Sequence, residues 1–153
     1  MKISTKGKYG LRAMIDLAQY SEQEAVSISS IAQRQKISES YLEQLVAKLK
    51  KAGLVVSIRG AAGGYRLARP ASGISVGDVL RALEGDVRAV ICTAQTEEGC
   101  EGEELCVTKY VWQRINESIE KTVEEMMLDQ LVAESRKAQE KAKNHDVDYS
   151  RNS

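Results

Sequence analysis

Cys92, Cys100 and Cys106 are the only thiols in the 153-residue chain, and they fall together in a C-x7-C-x5-C pattern. The segment between them holds glycine and glutamate, so it can fold around an ion. Thiolates suit zinc, copper(I) and iron–sulphur clusters. A structural zinc site more usually shows paired C-x2-C spacing, and the wider spacing here fits a cluster better. An intramolecular disulfide would leave one thiol over. Three thiolates do not complete a four-ligand site; Glu101, Glu103 and Glu104 are within reach, although a carboxylate is an unusual fourth ligand. A neighbouring subunit or an exogenous ligand is the alternative source. The single histidine, His145, lies far downstream in a polar stretch and reads as solvated.

Other chemistry has little to work with. There is no Ser-His-Asp set, no phosphate loop and no nucleophile–base pair, which argues against an enzyme. Hydrophobic residues make up 42% of the chain and charged residues 29%, the balance of an ordinary soluble domain able to bury its own core. The longest apolar runs are short, Ala89–Cys92 among them, which excludes a membrane span. With no apolar segment behind the first lysines, a secretory signal is not expected and the cytoplasm is the expected compartment.

A formal net charge of zero hides an asymmetry. Residues 1–90 carry 14 Lys+Arg against 8 Asp+Glu, and residues 91–153 carry 8 against 14, so balances of +6 and −6 cancel. A basic first half suggests a polyanionic partner.

The elements that must position these groups follow from periodicity. Leu11, Met14, Ile15 and Ala18 predict a helix from about Thr5 to Tyr20, with Ser4 or Thr5 capping it. A short helix over Ser29–Gln35 follows. Next comes Glu39–Ala52, with Leu42, Leu45, Val46 and Leu49 as its apolar stripe. Lys36, in the turn between them, stands where a left-handed residue would cost about 1 kcal/mol. Leu54–Ile58 and Tyr65–Leu67 predict a β-hairpin around the glycine-rich loop 59–64. A helix over Val76–Leu83 closes the basic half. Beyond the cysteines, Trp112, Ile115, Ile119, Val123 and Met126 give one apolar stripe on a charged helix, with Leu128, Leu131 and Val132 a second patch. The stripe has too few partners of its own and predicts a second copy of the chain. The expected organisation is a DNA-binding domain over 1–84, a cluster-binding loop over 85–106, a dimerisation helix over 107–136 and a flexible polar tail over 137–153.

Helix, turn, helix and a glycine-tipped hairpin within a basic segment form the pattern of a winged helix-turn-helix. The major groove of B-DNA admits one helix, braced by the helix before it. On the second helix, Ser38, Ser40, Tyr41 and Gln44 point outward if the leucines point in, and they can meet phosphates or base edges. Lys48 and Lys50 suit phosphates. Arg59 beside Gly60 can enter a narrow minor groove. Glu43 has two readings: a capping box with Ser40, or an acid that discriminates among bases.

Together these features resemble the IscR-like regulators, a family of bacterial winged-helix transcription factors that includes IscR, NsrR and CymR. The resemblance is carried by the opening Met1 to Gly10, by Ser40-Tyr41-Leu42-Glu43-Gln44-Leu45, and by Gly53-Leu54-Val55 followed by Arg59-Gly60 and Gly63-Gly64-Tyr65. It implies a mainly α fold with a small β-hairpin and a long C-terminal dimerisation helix. It also implies a homodimeric repressor on a pseudo-palindromic double-stranded operator, with Ser4 joining the DNA-binding set. The resemblance favours a discriminating role for Glu43. It further implies an iron–sulphur cluster on the three cysteines, of the 2Fe-2S type or else 4Fe-4S, governing cluster-biogenesis genes. Two positions depart from the family pattern: Lys109 stands where IscR-type members place a histidine ligand, and Lys8 where NsrR-type members place an aspartate. The alternatives are an NsrR-like nitric-oxide sensor, or a CymR-like repressor of sulphur metabolism controlled by a protein partner or by thiol oxidation.

Overall fold

The structure is a computed structural model that describes residues 3–89 and 107–151. The chain runs α1 (Thr5–Tyr20), α2 (Ile28–Gln35), α3 (Glu39–Lys51), β1 (Val55–Ile58), β2 (Gly64–Leu67), a 3-10 turn (Ala71–Gly73), α4 (Val76–Glu84), α5 (Thr108–Glu125) and α6 (Leu128–Arg151). No helix among the described residues is long and apolar enough to cross a membrane.

Serines start the first four helices. Ser4, Ser27, Ser38 and Ser75 each accept a backbone N–H of the first turn through the side chain, which satisfies a donor the helix itself cannot. The capping box belongs to Ser75 and Asp78 at α4. Lys36 ends α2 at φ 55, ψ 48, the left-handed conformation its position demands, where Gly would carry no Cβ penalty.

Periodicity becomes packing in a single step. Met14 and Leu17 of α1, Ile31 of α2, and Leu42, Leu45 and Leu49 of α3 are all buried, and Ile74, Val79 and Leu83 complete that side. Burying each such side chain stabilises the fold by roughly 1.5–3 kcal/mol before entropy is counted. Among the described residues, Asp16 is the one charged group inside. Its carboxylate accepts from Arg34 Nε and Nη2 at 2.9 and 2.8 Å and from Gln35 Nε2 at 2.9 Å. The Arg34 guanidinium lies 4.2 Å from the Tyr20 ring centroid. This tie joins α1 to α2, and the carboxylate holds the Arg34 pKa above its usual value.

β1 and β2 pair antiparallel, with Val55 opposite Leu67 and Ile58 opposite Gly64. Val26 adds an isolated bridge to β2: its N–H donates to Tyr65 O at 2.9 Å, and Tyr65 N–H donates back to Val26 O at 2.8 Å. The hairpin is thereby seated on the segment that leads into α2. Gly64 permits the approach, since a Cβ there would collide with the Val26 carbonyl.

The second half differs from the periodic pattern. Apolar spacing predicts one helix through 107–136, but the backbone breaks at Met126, which is extended. There Val76 N–H donates to Met126 O at 2.8 Å and Leu128 N–H donates to Ile74 O at 2.9 Å. This edge pairing supplies the backbone partners that a continuous helix would have supplied, and it lets Leu128 and Val132 turn into the first-half core. The second apolar patch is therefore core. Where a flexible tail is expected from Lys137, α6 continues to Arg151. Its sequence there has neither Gly nor Pro, and residues 137–143 are all good helix formers (Lys, Ala, Gln and Glu). Contacts near its middle tie it to α1 and the turn after it: Gln19 Nε2 donates to Gln139 Oε1 at 3.0 Å, and Arg136 pairs with Glu22.

Candidate nucleic-acid interface

The stripe that anchors α3 also determines what α3 presents. With Leu42, Leu45, Val46 and Leu49 turned in, Ser38, Ser40, Glu43, Gln44, Lys48 and Lys50 are exposed. Ser40, Gln44 and Lys48, spaced four apart, form one row along the helix. The row begins near a hydroxyl, passes an amide and ends in an ammonium group, and it can donate to phosphates and base edges.

Three expected roles change on contact with the structure. Tyr41 does not point outward: it is half-buried, packs edge-on against Tyr9 with ring centroids 6.1 Å apart, and encloses its hydroxyl without a hydrogen bond among the described residues. The signal lay in the spacing, since Tyr41 precedes Leu45 by one turn and shares its face. The Ser40–Glu43 capping box does not form either. Ser38 is the N-cap and accepts from Tyr41 N–H at 3.3 Å, while Ser40 lies inside the helix. Glu43 is left exposed with no capping duty. Lys50 turns to the hairpin, donating from Nζ to Ser57 Oγ at 3.0 Å, so it braces α3 against β1.

Arg59 and Gly60 lie exposed at the hairpin tip, Gly60 at φ 115, and Gly63 N–H donates to Gly60 O to close the turn. Ser4 is the N-cap of α1, and its hydroxyl donates to Glu84 Oε1 at 2.5 Å. One basic group escaped the sequence expectations. The charge of Lys6 on α1 holds the Lys48 ammonium of α3 below the ordinary lysine range. No sequence spacing signals an influence exerted across two helices.

Cys92, Cys100, Cys106, Glu101, Glu103 and Glu104 lie outside the described residues. The flanks of that segment are described. Ala89 N–H donates to Oδ1 of Asn116 at 2.9 Å, and Asn116 is the buried residue of α5. The chain entering the thiolate segment is thus fastened to the middle of α5. Lys109, three residues past Cys106, is half-buried, with Nζ 5.4 Å from the Tyr110 ring centroid. Val107, just before α5, and Tyr110, Val111 and Ile115 within it are exposed although apolar.

A family model described as "Rrf2: Iron-dependent Transcriptional regulator" matches residues 3–134. The HTH-type transcriptional regulator IscR of Yersinia enterocolitica is 42% identical over 132 residues, covering 86% of this chain and 79% of that protein. Among solved structures, T. potens IscR is 45% identical with a TM-score of 0.72, covering 91% of each chain. CymR, the global cysteine regulator of B. subtilis, is 41% identical with a TM-score of 0.74, covering 87% of this chain and 97% of its own. The winged helix-turn-helix built from α2, α3 and the hairpin, and the match over nearly the whole chain, place this protein in the Rrf2 family of transcriptional regulators.

Proposed function

We propose that the protein binds double-stranded DNA as a homodimer, reads a pseudo-palindromic operator with α3 and the hairpin tip, and answers to an iron–sulphur cluster held by Cys92, Cys100 and Cys106. The observation that carries this reading is the conjunction of three thiolates in one segment with an exposed polar row on α3 over a buried leucine stripe. Ser38, Ser40, Gln44 and Lys48 are the α3 contacts, Arg59 and Gly60 the hairpin contacts, and Glu43 discriminates among bases. Ser4 acts by capping α1. Two exposed apolar faces of α5, one from each copy, cover one another.

The donor set suits a cluster, because soft thiolates select iron–sulphur groups and three of them lie close in sequence. Lys109 cannot serve as a ligand while protonated, so the fourth ligand comes from Glu101, Glu103, Glu104, a partner subunit or a small molecule. A bound cluster supplies redox and ligand-exchange chemistry. The chain's own part is mechanical. Asn116 ties the start of the segment to α5, and Arg81 of α4 pairs with Glu124 of α5. A group bound by the segment therefore bears on how α5 sits against the DNA-binding half. Cluster-biogenesis genes in the cytoplasm are the proposed targets, with the 2Fe-2S type as the expected cluster.

The likeness to CymR favours a second reading, a regulator of sulphur metabolism whose thiols are oxidised directly or which answers to a protein partner. Purification without oxygen separates the two. Iron and sulphide bound to the chain, with visible absorption lost in Cys92→Ala, support the cluster. A colourless protein that still binds DNA overturns it and leaves the thiol reading.

A further inference from the structure

Arg12 and Arg34 are surface arginines, yet neither is loose. Arg12 of α1 donates from Nη2 to Gln35 O at 2.6 Å and from Nε to Gln35 Oε1 at 3.3 Å. Its guanidinium also lies 5.3 Å from the Tyr9 ring centroid. The Gln35 amide then donates from Nε2 to Asp16 Oδ2, the same oxygen that accepts Arg34 Nε. One unbroken chain, Arg12–Gln35–Asp16–Arg34, therefore fixes both guanidiniums. Each spends Nε and Nη2 in this chain, and Nη1 of each makes no hydrogen bond among the described residues. Asp16 answers the charge of Arg34, whereas Arg12 meets no carboxylate among the described residues.

The two arginines line a cavity of about 550 Å³ between α1, α2 and α6, within the size range of small-molecule sites. The α6 wall is built by Leu131, Glu134, Ser135 and Gln139, which recur at helical spacing and so share a face. That wall is fixed too. Ser135 Oγ donates to Gln19 Oε1 at 3.2 Å, and Gln139 Nε2 donates to Tyr20 Oη at 3.4 Å. Ile15 and Leu131, both half-buried, add apolar surface to the lining. Glu134 supplies the carboxylate of the α6 wall. Its pairing with Lys137 at 3.7 Å is an exposed one and holds it weakly.

A fixed guanidinium with no carboxylate of its own asks for an anionic head, and a weakly held carboxylate on the other wall asks for a cationic one. Because hydrogen bonds and ring faces already order the arginines, a ligand does not bear the cost of immobilising them. We propose that the cavity between α1, α2 and α6 is a binding site for a free α-amino acid: its carboxylate accepts from Arg12 and Arg34, and its ammonium donates to Glu134. Gln35 stands directly before Lys36, the left-handed residue that turns the chain toward α3, so the ligand touches the network that fixes that turn. The site stands on the cavity itself and is independent of the DNA-binding reading.

The test is calorimetric titration of the full chain, without DNA, using the common L-amino acids one at a time up to about 5 mM, where a site of millimolar affinity still fills. At least one should bind with a Kd below about 1 mM. Arg12→Ala and Glu134→Ala, both at exposed positions outside the core, should each weaken that ligand by about tenfold through loss of a charge-assisted hydrogen bond. The same ligand without its amino group should bind wild type about tenfold more weakly and be indifferent to Glu134→Ala. If no amino acid binds, the site is overturned. Binding that either variant leaves unchanged puts the ligand elsewhere and overturns it too. Inorganic phosphate or the deaminated carboxylate binding as tightly as the amino acid would make the cavity a plain anion site, and the amino-acid assignment would fail. Should circular dichroism show that Arg12→Ala does not fold, Glu134→Ala on α6 carries the comparison.

Discussion

Helices α3 and α5 are both amphipathic, yet they use their apolar faces in opposite ways. In α3 the stripe of Leu42, Leu45, Val46 and Leu49 disappears into the core of the same chain, so the face left outside is polar. In α5 the only buried residue is Asn116, while Tyr110, Val111 and Ile115 stay in solvent. Val123, further along α5, is half-buried against Val76 and Leu80 of α4, so the apolar surface left open among the described residues lies on the first half of α5. The contrast teaches that the same 3.6-residue pattern specifies an intramolecular core in one place and an unmet surface in another. What separates them is how many other elements converge on the stripe.

The largest expected effect lies on α3. Leu45→Ala should lower unfolding stability by about 2–5 kcal/mol through lost burial and a residual cavity, measured by denaturant titration. A loss well under 1 kcal/mol would mean that the α3 stripe is not the core described. The opposite expectation holds for α5: Val111→Glu should leave helix content intact and shift sedimentation from dimer to monomer. A dimer of unchanged affinity would break the comparison, because the exposed stripe would then have no partner of its own kind.

On the polar face, Gln44→Ala should relax sequence preference at one operator position by about 1–3 kcal/mol if the amide reads a base. A uniform loss across sequences would make it a phosphate contact. Arg59→Ala at the hairpin should instead weaken all sequences and reduce the salt slope by about one.

A smaller effect follows from the carboxylate that closes the first turn of α1. The Ser4 hydroxyl, opposed by burial and joined by the Gly7 and Ser4 backbone N–H groups and by Lys6, holds Glu84 below its ordinary range. A depressed folded pKa contributes stability above the unfolded value of about 4.3 that is lost as pH falls through the folded one. Denaturation midpoints should therefore fall more steeply on acidification in wild type than in Glu84→Gln. Equal slopes would show that the hydrogen bonds do not favour the ionised form. The smallest change expected is at the turn: Lys36→Gly should stabilise the chain by no more than about 1 kcal/mol, since it removes a Cβ from a left-handed residue but adds chain entropy when unfolded.

Local pattern alone was enough for most of the first half. Residues at three- and four-residue spacing located α1, α2, α3 and α4, and the hairpin followed from β-branched runs about a glycine-rich loop. These are contacts between near neighbours in the chain, which the 3.6 and 2.0 periods encode directly. The same logic exposed Ser38, Ser40, Glu43, Gln44 and Lys48, because whatever is not in the stripe must be outside it. It also brought Cys92, Cys100 and Cys106 into one short segment. Tertiary structure decided the rest. Tyr41 shares the Leu45 face and packs on Tyr9 of another helix, and Ser38, directly before the first residue of α3, takes the cap that Ser40 could also offer. Met126 broke a promising helix because Ile74 and Val76 offered backbone partners. Glu84 met Ser4 and Gly7 across a separation that no periodicity spans. A pattern in one segment records how that segment is to be covered, whereas the identity of its cover depends on where every other segment has gone.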